Sequence, residues 1–147
     1  NAGALATVGG VMGVNALGER AILDPAVITE AAPQSSRIPG PLYMTNWALG
    51  GSAFNAYTAG KEGGAGLNNV GLLVKAAGRV LTVDENGFTM TDGSACDPIS
   101  VVTSQVAGVS VAEGDYVSVV GICSLELNPT LKPLIRVREA ADVRKLN

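Results

Sequence analysis

The chain contains no histidine. Catalysis by an imidazole base and metal sites built on imidazole are therefore excluded. Charge is scarce: 16% of the 147 residues are charged, and the net charge is -3. Neither nucleic acid nor an anionic membrane is attracted by such a balance. No Lys or Arg lies between Arg79 and Lys132. No apolar run approaches the ~18–20 residues of a membrane-spanning helix. The opening "NAGALATVGGVMGVNAL" is uncharged but lacks the basic n-region of a signal peptide, so an exported form is expected to have lost its signal already. Cysteine is limited to Cys96 and Cys123. These two are candidates for a disulfide in an oxidising compartment, and two buried thiols fit equally well.

What is present points to a folded β-protein. Apolar residues make up 47% of the chain, which argues against disorder. A chain of this length can bury roughly 68–70% of its unfolded surface and needs no metal to fold. Gly, Thr, Ser, Asn and Val are plentiful while Lys and Glu are few, a composition that leans towards an extracellular or cell-surface location.

Three regions separate. Residues 1–32 hold two strand-like runs, an N-terminal β-hairpin arm. Residues 33–69 form a long connector rich in Gly, Pro and aromatics. Residues 70–147 read as a barrel. In "GLLVKAAGRVLTV" the residues Leu72, Val74, Ala76, Gly78 and Val80 share one side, which is strand periodicity. Gly78 marks a bend within it. Asn86-Gly87 closes a hairpin, and "FTMTDGS" returns as the second strand. "ISVVTSQV" is the third and "YVSVVGICSLE", over 116–126, the fourth. "NPTLKP" reads as a loop, with the fifth strand over 134–143 and a short tail. No convincing helix lies between the third and fourth strands. The expected fold is all-β, an OB-like five-stranded Greek-key barrel whose bent first strand serves both sheets.

The opening repeats the end. Thr7, Val8, Gly10, Val11 and Val14 align with Ser118, Val119, Gly121, Ile122 and Leu125, and "GERAIL" then meets "KPLIRV". The arm reads as strands four and five of a preceding OB unit, a half repeat.

From "GERAILDP" through "PLYMTNWALGG", "GLNNVGLLVKAAGRVLTVD", "FTMTDGS", "GDYVSVVGICSLE" and "PLIRVREAADV", the chain resembles an uncharacterised OB-fold-like β-module. That module recurs in secreted, cell-surface and multidomain proteins of environmental bacteria. "GLNNVGLLV" and "GDYVSVVGI" are the most specific parts. The resemblance covers most of the chain and implies an exported β-module rather than any activity. The chain departs from the pattern at Trp47, where a basic residue is usual, and at Ala77, where an aromatic is usual.

Chemistry-bearing patterns are sparse. The outward face of strands two and three offers Thr89, Thr91, Thr103 and Gln105, without the stacking aromatics and cations that single-stranded nucleic acid requires. Asp84, Glu85, Asp92, Asp97, Glu113 and Asp115 sit at turns. They could be calcium ligands, but turn closure explains them as well. Paired acids across a glycosidase cleft are not expected on so small a barrel. "GGAG" runs into Leu67-Asn68-Asn69 rather than into the Lys-Ser/Thr of a phosphate loop. No cofactor, metal or catalytic residue is expected.

Tyr43, Trp47, Phe54 and Tyr57 all fall in the connector. Either the connector packs over the barrel as an extra layer, or it presents an adhesive surface. An isolated hairpin is marginal in water, so Leu5, Val8, Val11, Ile22 and Val27 need a surface to join. The expected function is a non-enzymatic extracellular structural subunit. It would assemble with copies of itself into a filament by β-strand donation and through the aromatic connector. A carbohydrate- or small-ligand-binding module of a larger secreted protein is the alternative. Neither nucleic acid nor a membrane span is expected.

Overall fold

The computed structural model describes residues 4, 6–14, 20–32, 39–95 and 97–146. They belong to two compact units, Asn1–Gly40 and Pro41–Asn147.

The first unit is an antiparallel hairpin of β1 (Ala6–Val14) and β2 (Arg20–Glu30). Between the pairs Gly9–Ala26 and Val11–Leu23 the ladder slips, leaving Gly10 opposite Asp24 and Pro25. Asp24 takes a left-handed φ of 49° there. Asp tolerates that conformation better than most residues, and proline is tolerated at bulges because no ladder N–H is needed. Val11 pairs with Leu23, whereas Ile122, its counterpart in the half repeat expected from the sequence, pairs with Arg136. Since Arg136 aligns with Ile22, the two hairpins differ by one position in register. They agree at the aligned glycines. A Cβ on Gly10 would lie 2.7 Å from the Leu23 carbonyl oxygen, and one on Gly121 would lie 2.4 Å from that of Arg136.

The second unit is the barrel. Its strands are β4 (Leu73–Val83), β5 (Gly87–Thr91), β6 (Ile99–Val102), β7 (Tyr116–Leu127) and β8 (Leu131–Arg136). They close in the order β4-β5-β6-β8-β7-β4, every pairing antiparallel except β6 with β8. This is the OB-type barrel expected from the sequence. Two short strands bond outside it: β3 (Leu42–Tyr43) runs parallel to β4, and β9 (Val143–Lys145) pairs antiparallel with β7.

β4 turns the corner. Residues 73–79 pair with β7, and from Arg79 onward the strand pairs with β5. Gly78 sits at the switch, where a Cβ would lie 2.7 Å from the Thr91 carbonyl oxygen. The two strands can approach this closely only because a side chain is missing.

Period-two alternation fills the interior. Val74, Ala76 and Val80 from β4 meet Phe88 and Met90 from β5, Ile99 and Val101 from β6, Val117, Val119 and Cys123 from β7, and Ile135 from β8. No helix separates β6 from β7. The segment turns three times, and Val106, Val109 and Val111 pack against the core instead.

Two strand boundaries differ from expectation. The third strand ends at Val102, because the Thr103 and Ser104 amides both donate to the Asn86 carbonyl rather than continuing a ladder. The fifth begins at Leu131 and ends at Arg136, so only residues 128–130 form the turn. Pro133 is accommodated within β8 because pairing with β6 starts one residue later, at Leu134; its absent N–H forfeits no bond on that side. Beyond Arg136 comes a 3-10 turn over Ala140–Asp142. The nearly buried Asp142 receives both Nε and Nη2 of Arg138, at 3.0 and 2.8 Å.

Candidate functional site

The connector is organised by side-chain amides. Asn69 is 2% exposed. Its Oδ1 accepts from the Gly50 amide at 2.8 Å and from the Cys123 thiol at 3.1 Å, while its Nδ2 donates to the Ala48 carbonyl at 2.7 Å. Asn68 Nδ2 donates to the Ser52 and Ala59 carbonyls. Within this framework the backbone is compact. A Cβ on Gly60 or Gly64 would lie 2.3 or 2.0 Å from the Gly51 carbonyl oxygen. The motif "GLNNVG" is thus the clamp that holds the connector on the barrel, and Leu49 is fully buried beneath it.

A second tie joins the connector to the β5–β6 loop. The Asn46 amide donates to Asp92 Oδ2 at 2.9 Å, and Asp92 Oδ1 accepts from the Ser94 amide and hydroxyl. The Ser94 Oγ in turn accepts from the Trp47 amide at 3.0 Å. Desolvation raises the Asp92 pKa, but the bonds from Ser94 and Asn46 outweigh it and leave the carboxyl below its usual range. Lys61, 14 residues further along the connector, reaches back to Trp47. Its ammonium donates to the Trp47 carbonyl and stands 4.5 Å from the centroid of the indole. Burial pushes the Lys61 pKa down, partly offset by attraction to Cys123.

Residues 41–69 of the connector are therefore a layer on the barrel, yet their aromatics are exposed rather than packed into it. Tyr43, Trp47, Phe54 and Tyr57 are all exposed, Trp47 by half and Phe54 by 77%. Among the hairpin candidates, Val8, Val11, Ile22 and Val27 are exposed, and Leu5 lies outside the described residues. Met12, Val14, Leu23 and Ile28 on the same hairpin, and Leu67 in the connector, are exposed too. Sequence reasoning passed over these, although the same apolar pattern marks the hairpin positions.

Of the candidate disulfide pair, Cys96 lies outside the described residues. Cys123 is a free thiol with no solvent exposure. Burial pushes its pKa to about 11, against the lowering effects of the Gly50 amide and the Lys61 ammonium.

Of the turn carboxylates, Asp84, Asp92, Asp97 and Asp115 have structural employment. Asp84 Oδ1 accepts the Asn86 and Gly87 amides, and Asp115 Oδ2 accepts the Ala112 amide and pairs with Lys145 at 2.8 Å. No cluster of three metal-ligating side chains occurs among the described residues. The surface of β5 carries Thr89, whose hydroxyl meets that of Thr82 at 2.7 Å.

One cavity of about 250 Å³ opens beside the second tie. Asn46 and Trp47 line it from the connector, with Lys61 and Glu62; Asp97 and Pro98 line it from the β5–β6 loop; residues 130–133 close it from the β7–β8 hairpin. Asn46, Lys61, Glu62 and the β7–β8 hairpin were not singled out by sequence reasoning.

Neither a protein-family model nor a curated protein matches the chain. No helix among the described residues is long and apolar enough to cross a membrane.

Proposed function

We propose that this protein is a non-enzymatic extracellular structural subunit whose N-terminal hairpin joins β-structure of another copy. The observation that carries this reading is the hairpin itself. It is a two-stranded sheet with no further strand on either edge among the described residues. Eight large apolar side chains on it are between 38% and 68% exposed: Val8, Val11, Met12, Val14, Ile22, Leu23, Val27 and Ile28. On β1 they include residues of both parities, so both faces of the ribbon are apolar. A ribbon of this kind is marginal in water and offers an unpaired edge as a template. Adding it to another sheet supplies main-chain bonds for affinity and alternating side chains for register. A head-to-tail arrangement that does not close generates a filament. The exposed aromatics of the connector would add large, stiff contact area.

The test is the concentration dependence of mass by light scattering, together with negative-stain imaging. The full chain should assemble, and a Val11→Lys/Val27→Lys variant should remain monomeric with the barrel intact. A chain that stays monomeric at high concentration, or a double variant that assembles unchanged, overturns the reading.

A ligand-binding role is the second reading, favoured by the cavity beside Trp47.

A further inference from the structure

We propose that the cavity between the connector, the β5–β6 loop and the β7–β8 hairpin binds one unit of a neutral saccharide. This goes beyond assembly and does not depend on it, because every residue involved belongs to the second unit.

Three features converge. The first is Trp47, a large aromatic that is half exposed although its backbone is fastened on both sides. Its N–H is held by Ser94, its carbonyl by Lys61, and the preceding residue by Asp92. An aromatic fixed at a cavity wall is a preorganised contact surface, and it loses little freedom when a ligand stacks or packs against it.

The second feature is an orphan acceptor. Asn46 lines the cavity and is fully buried, yet its Oδ1 has no donor. Its Nδ2 makes only a long 3.4 Å contact with the Met90 carbonyl. Buried acceptors left unmatched are rare and unfavourable. That oxygen has no accessible surface, so a ligand hydroxyl supplies the missing donor once the Asn46 side chain turns toward the cavity it lines.

The third is charge balance. Lys61 and Lys132 face Glu62 and Asp97 around the cavity, two positive groups against two negative, and Lys132 already pairs with Asp97 at 3.3 Å. The cancellation gives no pull on a phosphate or a polyanion. Closely spaced donors and acceptors of both kinds suit a ligand whose hydroxyls both give and accept. Pro98, Leu131 and Pro133 complete an apolar wall for the C–H face of a pyranose. The volume of about 250 Å³ lies below the range for drug-sized ligands, roughly 300–1,000 Å³, and suits a single ring.

Trp47 is the only tryptophan in the chain, so intrinsic fluorescence reports on this site directly. The full-length protein is titrated with methyl glycosides of glucose, galactose, mannose and N-acetylglucosamine and with their dimers, and separately with inorganic phosphate and AMP. A saturable change with at least one neutral glycoside, insensitive to added salt, is expected. Lys132→Ala keeps the reporter and lies outside the barrel interior; it should weaken that binding by about tenfold. Isothermal titration of Trp47→Ala should show binding lost while thermal unfolding stays cooperative. The proposal is overturned if no neutral glycoside gives saturation, if only the anions bind, or if Lys132→Ala and Trp47→Ala bind as tightly as the parent.

Discussion

The Cys123 thiol stands 3.1 Å from Oδ1 of Asn69, so a residue inside the barrel and a residue in the connector share one hydrogen bond. The same oxygen receives the Gly50 amide, and the same side chain donates to Ala48. Replacing Asn69 with Ala leaves a buried amide and a buried carbonyl unmatched. Asn69→Ala should destabilise the barrel by about 2–4 kcal/mol. Urea unfolding followed by far-ultraviolet circular dichroism measures it. A loss below about 0.5 kcal/mol would show that the amide does not clamp the connector.

Cys123 links stability to alkaline pH. The folded protein holds the thiol proton up to about pH 11, while the reference thiol titrates near 9.0. Between these values unfolding releases a proton, so stability falls as pH rises, by up to roughly 3 kcal/mol across the window. Below pH 9 the contribution is constant. Cys123→Ala should flatten this slope, as judged from denaturation midpoints at pH 8 and pH 10.5. In the native protein at neutral pH, Cys123 should resist iodoacetamide and react only after unfolding. Rapid alkylation of native Cys123, read by peptide mass, contradicts both expectations.

Gly78→Ala tests the barrel corner. The added methyl would meet backbone of Thr91 and Asp92 rather than a flexible side chain. Strain cannot be relieved by a rotamer change, and a loss of about 1–3 kcal/mol is expected. Gly63→Ala is a useful comparison, since a Cβ there meets nothing within 4 Å; only its positive φ of 62° opposes the change. Equal stability of Gly78→Ala and the parent would mean that β4 does not need the close approach.

Binding of single-stranded DNA or RNA by the barrel should be negligible at physiological salt. The β5 surface presents threonines, and the cavity carries balanced charge. Affinity for single strands rests on cationic grooves and stacking platforms. Fluorescence anisotropy with labelled oligonucleotides provides the measurement, and a micromolar dissociation constant contradicts the expectation.

The barrel was legible because its signals are local. Alternation in Val74, Ala76 and Val80 sets one face of a strand without reference to any partner. Asn86-Gly87 closes its hairpin through Asp84, within the same few residues. Gly78 marks a bend in its own strand. Strand ends were less legible. Pro133 sits inside β8 because pairing with β6 begins only at Leu134, a fact about a neighbouring strand.

The sequence by itself determined an all-β chain, its strand order, an apolar hairpin and a connector in which most of the aromatics collect. Tertiary structure alone decided what the connector does. Asp92 lies 46 positions from the Asn46 amide it receives, and Cys123 lies 54 positions from Asn69. Neither pair leaves a periodic trace, because hydrogen bonding between distant loops depends on where the closed barrel places them. The outward aim of Phe54 and the cavity beside Trp47 follow from that placement, since composition counts an aromatic equally whether it faces a core or water.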